Sequence, residues 1–347
     1  MLSLSSVLFQ SEGVADSLQL PTDNEEVQNI LHYLQPTETG RRNGGFGLVR
    51  ENGTRFHGGI DIRPVRFRSS GESADRVRAV ADGVVVHANG DAKKSSYGKY
   101  IVVEHGSLSV PVFSLYAHLA LVDESIAPGK SVSGGDLLGT MGRTSCDQDI
   151  PQDRAHLHFE MGLRLGEDPE FSSWYGRKYP DEPNFHGRWN GLNLVSLDPL
   201  PLLQNGKNCS LLARIQMEPT AFVTRICTEK VPEFLKRYPM LMDGGNEGSI
   251  GGFDVEWTWY GLPKRWVAIR ADVRRSPMVS GPLLLHWERD WVALSLRMGT
   301  LEVGGEGSNS IRLGQRTLDA IGKIFGIASK ELTERTLRIG ESTANEG

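Results

Sequence analysis

From Val77 to Phe159 the apolar residues come in short alternating runs broken by glycines. Val84-Val85-Val86, Tyr100-Ile101-Val102-Val103 and Val112-Phe113-Ser114-Leu115-Tyr116 are examples. Runs of this length between turn residues predict an antiparallel sheet, and no helix-length periodicity interrupts them. Upstream, Val27, Ile30, Leu31 and Leu34 recur at helical spacing. With Thr22 or Asp23 as a cap they predict one amphipathic helix. Residues 164–193 show no period but hold Phe171, Trp174, Tyr175, Trp189 and several prolines, which predicts a long ordered loop walling a groove. Downstream, residues 253–260 alternate, 261–264 read as a turn, and 266–273 alternate back, a hairpin pattern. Residues 286–296 read as further strand, Pro232 opens a short helix, and Leu318, Ile321 and Ile324 keep helical spacing.

A chain of 347 residues predicts two domains. The division expected is 1–39, a segment with one helix; 40–200, the β-rich part including the aromatic loop at 164–193; and 201–347, an α+β domain without a recognised relative. The tryptophans of that last part are either core or a glycan-stacking face. Hydrophobic residues make up 39% of the chain and charged ones 23%, enough to bury a sizeable core. The net charge of −5 and the lack of a basic run argue against nucleic acid as a partner. No stretch approaches the roughly 18 apolar residues of a membrane-spanning helix. Residues 1–9 lack the basic start of an export signal. Of the three cysteines, Cys209 and Cys227 are close enough in sequence to staple a loop in an oxidising compartment, whereas Cys146 falls before a histidine pair.

Chemistry concentrates in three short pieces. His57-Gly58-Gly59-Ile60-Asp61 puts an imidazole and a carboxylate four apart, with glycines that let the backbone turn. Tyr116-Ala117-His118-Leu119 adds a third histidine. In His156-Leu157-His158-Phe159-Glu160 the histidines alternate, so on a strand they share a face with Glu160 while Leu157 and Phe159 pack behind. Histidine and aspartate are the ligand types of an open zinc site, which takes three protein ligands and leaves one position free.

Together these pieces resemble the lysostaphin/LytM-type zinc metalloendopeptidases, peptidoglycan hydrolases whose pattern is His-x-x-x-Asp, then Tyr-x-His-Leu, then His-x-His. Val80-Ala81-Asp82-Gly83-Val84, the run from Tyr97 to Gly106, and the turn and strand from Pro128 to Gly139 resemble further parts of that pattern, and the likeness covers roughly residues 40–165. It implies a mainly β, LytM-like antiparallel metallopeptidase domain, with the N-terminal helix and the second α+β domain around it. It also implies that His57, Asp61 and His158 bind Zn²⁺, while His118 and His156 flank the free position as catalytic residues. The expected reaction is hydrolysis of peptide cross-links of bacterial peptidoglycan by a zinc-bound water, in the periplasm, the envelope or outside the cell, the export signal having been removed. Glu160 is expected to orient a histidine. Arg41 and Arg42 are possible contacts for substrate carboxylates, and Asn43 or Asn52 could fill the fourth metal position, as an upstream asparagine does in latent relatives. The charged stretch at 142–154 is longer than the family's loop and bears on substrate fit. Two other readings remain open: a silent or latent regulator of other wall hydrolases, and a secreted protease acting on glycine-rich proteins.

Overall fold

The computed structural model describes residues 16–23, 34, 44–147, 149–205, 210–244, 250–271, 281–304 and 310–334. Among the described residues the first part of the chain is built on strands, with only short 3-10 turns between them: β1 (Gly47–Arg50), β2 (Arg55–His57), β3 (Ile60–Ile62), β4 (Arg76–Arg78), β5 (Gly83–Asn89), β6 (Tyr100–His105), β7 (Val112–Ala117), β8 (Leu119–Val122), β9 (Ser131–Val132), β10 (Leu137–Met141) and β11 (Leu157–Arg164). Then follow α1 (Glu170–Lys178), β12 (Leu194–Leu197), α2 (Pro199–Asn205), α3 (Leu211–Met217), β13 (Phe222–Cys227), α4 (Glu233–Arg237), β14 (Met242–Asp243), β15 (Ile250–Trp257), β16 (Pro263–Arg270), β17 (Leu283–Trp287), α5 (Arg289–Met298), β18 (Leu301–Val303), β19 (Ile311–Leu313) and α6 (Gln315–Phe325).

The main sheet runs β12-β11-β7-β6-β5-β9, with β3 also paired to β11. A smaller sheet, β4-β10-β8, and the β1-β2 pair complete the first part. Every pair in these sheets is antiparallel, as the alternating pattern predicts. β11 pairs with three strands, β12, β7 and β3, and all eight of its residues are buried, because the faces on both sides are covered. On one face Leu157, Phe159, Met161 and Leu163 enter the principal core with Ile60, Tyr116 and Val103. On the other, Tyr100, Val102, Phe113, Leu115 and Ala117 pack under Trp189. Each fully buried Leu or Phe of this kind contributes about 1.5–3 kcal/mol.

The C-terminal part builds a second sheet, β14-β16-β15-β13-β17, whose β15–β16 pair is the predicted hairpin. Its core is continuous with that of the first part, since Phe222, Phe253, Trp257 and Trp266 belong to the cluster that holds Ile60 and Phe159. Trp257 and Trp266 are fully buried, so these tryptophans are core. The turn after β15 reaches back to the strand that carries His57. The Tyr260 ring lies 5.4 Å from Phe46 and stacks at 5.9 Å on Phe56, and Trp259 lies 5.8 Å from Phe56.

Two expectations are corrected. Residues 164–193 are not an irregular loop throughout: α1 occupies part of them, with Phe171, Trp174 and Tyr175 buried on one side at i, i+3, i+4 spacing. Residues 286–296 are mostly helix, since β17 ends at Trp287 and α5 begins at Arg289. Trp291, Ser295 and Met298 stand at i, i+4, i+7 and form one helix face, a spacing that outweighs the strand-like composition there. Cys227 is a free cysteine, and Cys209 lies outside the described residues, as do Arg41, Arg42, Asn43 and most of the predicted N-terminal helix. The described N-terminal residues lie against the first part: Thr22 bridges Val77, and Leu34 bridges Ile62.

Candidate metal centre

The register of β11 brings the site together. His158 stands opposite Asp61 of β3 on one side and Ala117 of β7 on the other. Directly paired residues of antiparallel strands share a face, so the imidazole and the carboxylate meet. His57 ends β2 and reaches the same point after a turn at Gly58 and Gly59. A Cβ at Gly59 would fall 2.3 Å from the Phe159 carbonyl oxygen, so only glycine lets this turn cross β11.

His57, Asp61 and His158 form the one group among the described residues that could hold a metal ion, and all three are buried. His57 Nε2 lies 2.9 Å from His158 Nδ1 and 3.1 Å from Asp61 Oδ1, and His158 Nδ1 lies 3.0 Å from the same oxygen. The outward nitrogens are committed elsewhere. His57 Nδ1–H donates to the Gly45 carbonyl at 2.7 Å, and His158 Nε2–H donates to Glu160 Oε1 at 2.8 Å. In neutral rings the two inward nitrogens are therefore lone pairs facing each other beside a carboxylate. That arrangement needs a proton or a cation between them, and a metal fits the donor set.

Glu160 has the orienting position expected of it. Its two oxygens also accept from Tyr97 Oη at 2.7 Å and Ser196 Oγ at 2.6 Å. Burial pushes the Glu160 carboxyl up, but the His158, Ser196 and Tyr97 hydrogen bonds outweigh it and hold the group at about 2. Burial pulls His158 down, but its bonds to Asp61 and Glu160 raise it to about 9. Asp61 is pushed up by burial yet held well below the carboxylate range by His156, His57 and His158. Burial lowers His57, against the pull of Asp61.

His118 and His156 stand beside this group rather than in it. Their rings are 4.9 Å apart, and His156 Nε2 lies 3.7 Å from Asp61 Oδ2. Each donates Nδ1–H to a backbone carbonyl, His118 to Thr144 at 2.8 Å and His156 to Arg154 at 2.8 Å, which leaves each Nε2 free to accept a proton. Burial and the neighbouring His156 and His158 bring His118 down to about 3. The backbone is shaped for it: His118 has φ of +59°, and its N–H donates to the Tyr97 carbonyl at 2.9 Å. Tyr116 of the same motif faces the core instead, accepting from Val80 N at 2.9 Å. The 142–154 stretch flanks His118. With Ala120, residues Arg143, Thr144, Cys146 and Asp147 line an open cleft of about 660 Å³, so Cys146 is a rim thiol.

Three contacts at the site were not anticipated. Tyr97 and Ser196 hold Glu160 across the sheet, and nothing local in sequence marks them. Arg50, at the end of β1, places its guanidinium on Asp61 Oδ2 and donates to His57 Nε2 at 3.1 Å. Asn52 instead lies exposed in the turn between β1 and β2. His105 is structural, bonded to the Asp82 carbonyl and to Ser114. His186 packs on His87 and Tyr100, away from the ligand group.

A β-sheet framework with a buried His-Asp-His group and two flanking histidines defines a metallopeptidase-like segment. Residues 55–169 match the model of peptidase family M23, in line with the motif resemblance. No curated protein matches the chain. Solved structures similar to it include a zinc containing peptidase from Vibrio cholerae (24% identity, TM-score 0.29, covering 42% of this chain and 37% of that one). Another is Csd3 from Helicobacter pylori (18%, 0.28, 43% and 30%). A third is the catalytic domain of the antimicrobial peptidase lysostaphin from Staphylococcus simulans (20%, 0.28, 46% and 89%). The chain thus spans well under two thirds of the first two of these.

Proposed function

We propose that this protein is a zinc-dependent endopeptidase that hydrolyses peptide cross-links of bacterial peptidoglycan, with water as the nucleophile. The family match supports the reaction class. The single observation that carries the reading is the inward facing of His57 Nε2 and His158 Nδ1 at 2.9 Å while both outer ring nitrogens are bonded elsewhere. His57, Asp61 and His158 hold the zinc, and Glu160 fixes the His158 ring. When bound, zinc supplies Lewis acidity, acidifying a water and polarising a carbonyl. His118, neutral over the working range, takes a proton at Nε2. His156, its Nδ1–H held by the Arg154 carbonyl, is placed to bond the developing oxyanion from Nε2 once it has taken up a proton there. Such a substrate places the protein in the periplasm, the envelope or outside the cell. On this reading residues 40–200 form the catalytic domain and 201–347 a second domain that props it.

One observation favours a second reading, a latent or silent regulator. The Arg50 guanidinium already contacts two of the three ligand side chains, where a cation is wanted. One experiment separates the readings: zinc content together with fragment release from purified peptidoglycan, for wild type, His118→Ala and His158→Ala. An enzyme carries zinc and releases fragments; His158→Ala loses both, and His118→Ala keeps zinc but not release. Zinc without release from wall or glycine-rich peptide supports the latent form. No zinc in wild type overturns the ligand assignment.

A further inference from the structure

Between the end of the main sheet and α6 lies a cavity of about 420 Å³, a size usual for small-ligand sites of roughly 300–1,000 Å³. Leu192, Val195 and Met298 give it apolar walls, and α6 lines it with two cations, Arg316 and Lys323, and with the carboxylate of Asp319. Lys323 is buried, with 9% of its surface exposed. Among the described residues its ammonium has no carboxylate and no hydrogen-bond acceptor; its contact is the face of the Trp174 ring at 4.7 Å. The nearest acid, Asp319, is spent elsewhere. It pairs with Lys178 and accepts from Gln315 Nε2 at 2.8 Å and Ser329 Oγ at 2.6 Å. Arg316 has no ion pair among the described residues either, and its guanidinium sits 5.5 Å from the Phe56 ring centre.

A buried amine whose acidic neighbour is bonded elsewhere is costly to charge, so a hollow that sets it beside a second cation without an ion pair among the described residues favours an anion. Burial lowers Lys323 to about 7, with Asp319 opposing and Arg316 and Lys178 adding to the fall. The cavity is not the metal centre. Phe56 and Val195 each precede a residue of that centre, His57 and Ser196, and successive strand residues point to opposite faces. Arg316 therefore lies behind β2, and the cavity, lined by both Leu194 and Val195, sits at the edge of β12 and shares no lining residue with the metal centre.

We propose that this cavity is a second binding site, which takes a carboxylate attached to a short apolar body, such as the C-terminal end of a small peptide. Arg316 and Lys323 bind the carboxylate, and Leu192, Val195 and Met298 receive the body. The site does not depend on the peptidase reading, because it shares no residue with the metal group.

The test is calorimetric titration of the full chain with N-acetyl-Ala-Ala, its C-terminal amide, butyrate and acetate. Binding of the free dipeptide, with the amide weaker by about tenfold or more, is expected from loss of a charge-assisted hydrogen bond. Lys323→Met, which keeps the apolar stem, and Arg316→Gln should each weaken it by about as much while zinc content stays unchanged. Butyrate binding as tightly as the dipeptide supports the site and assigns it to free acids rather than peptide ends. Acetate matching both would overturn the role given to the apolar walls. No binding by any probe, equal binding of acid and amide, or variants that bind like wild type would overturn the proposal.

Discussion

His57 and His158, 101 positions apart, bring Nε2 and Nδ1 to 2.9 Å, each ring held by an acceptor on its far side. For His158 that acceptor is Glu160, itself fixed by Tyr97 and Ser196. If the pair are ligands, Glu160→Ala should lower zinc affinity by about 10–100-fold, the usual effect of losing such a partner. Glu160→Gln, which keeps an acceptor but not the charge, should cost less. Competition with a chromophoric chelator reads both. Unchanged affinity in Glu160→Ala would remove Glu160 from the site.

Arg50 offers a cation to the atoms proposed to hold zinc. Arg50→Gln should therefore raise zinc affinity, and it should do so in the same chelator assay without changing the order of the Glu160 variants. Lower affinity would mean that Arg50 organises Asp61 and His57 for the metal instead of competing with it.

Gly59 carries a prediction about backbone rather than chemistry. In Gly59→Ala the new Cβ would meet the Phe159 carbonyl oxygen at 2.3 Å, and backbone cannot yield as a flexible side chain does. Overpacking of this kind costs about 1–3 kcal/mol. A lower melting temperature together with lost zinc binding is expected, because the shift separates β3 from β11. A variant that melts like wild type and binds zinc would contradict the close approach.

How much of this was legible in the chain follows from the range of each interaction. Two-residue spacing puts His156, His158 and Glu160 on one strand face, whereas the meeting of His57 and Asp61 with His158 was legible only through the motif resemblance. Tyr97 and Ser196 were not, since their partner Glu160 lies 63 and 36 positions away. Arg50 ends a glycine-rich run that also holds Arg41 and Arg42, and only its contacts with Asp61 and His57 show that it turns inward. The sheet of the first part followed from its alternation. α1 was missed although Phe171, Trp174 and Tyr175 keep helical spacing, because nine residues between prolines are too few for a period to stand out. The support that Trp259 and Tyr260 give to Phe56 depends on two distant segments packing, which no local pattern encodes.

The last prediction concerns pH. Burial takes Lys323 from its ordinary 10.5 to about 7; Asp319 resists, and Arg316 and Lys178 add to the fall. Between those values the unfolded chain holds a proton that the folded chain has released. Stability then rises with pH across that window, and the whole penalty is present below about 7. Lys323→Met removes the titrating group and keeps its place against the Trp174 ring. In an anion-poor buffer the variant should melt higher than wild type at about pH 6, and the gap should shrink toward about pH 10. Adding N-acetyl-Ala-Ala at low pH should narrow the gap from the other direction, because a bound carboxylate stabilises the wild-type ammonium alone. A gap that is the same at both pH values would mean that Lys323 keeps its proton when folded, and that the cavity already supplies its counter-charge.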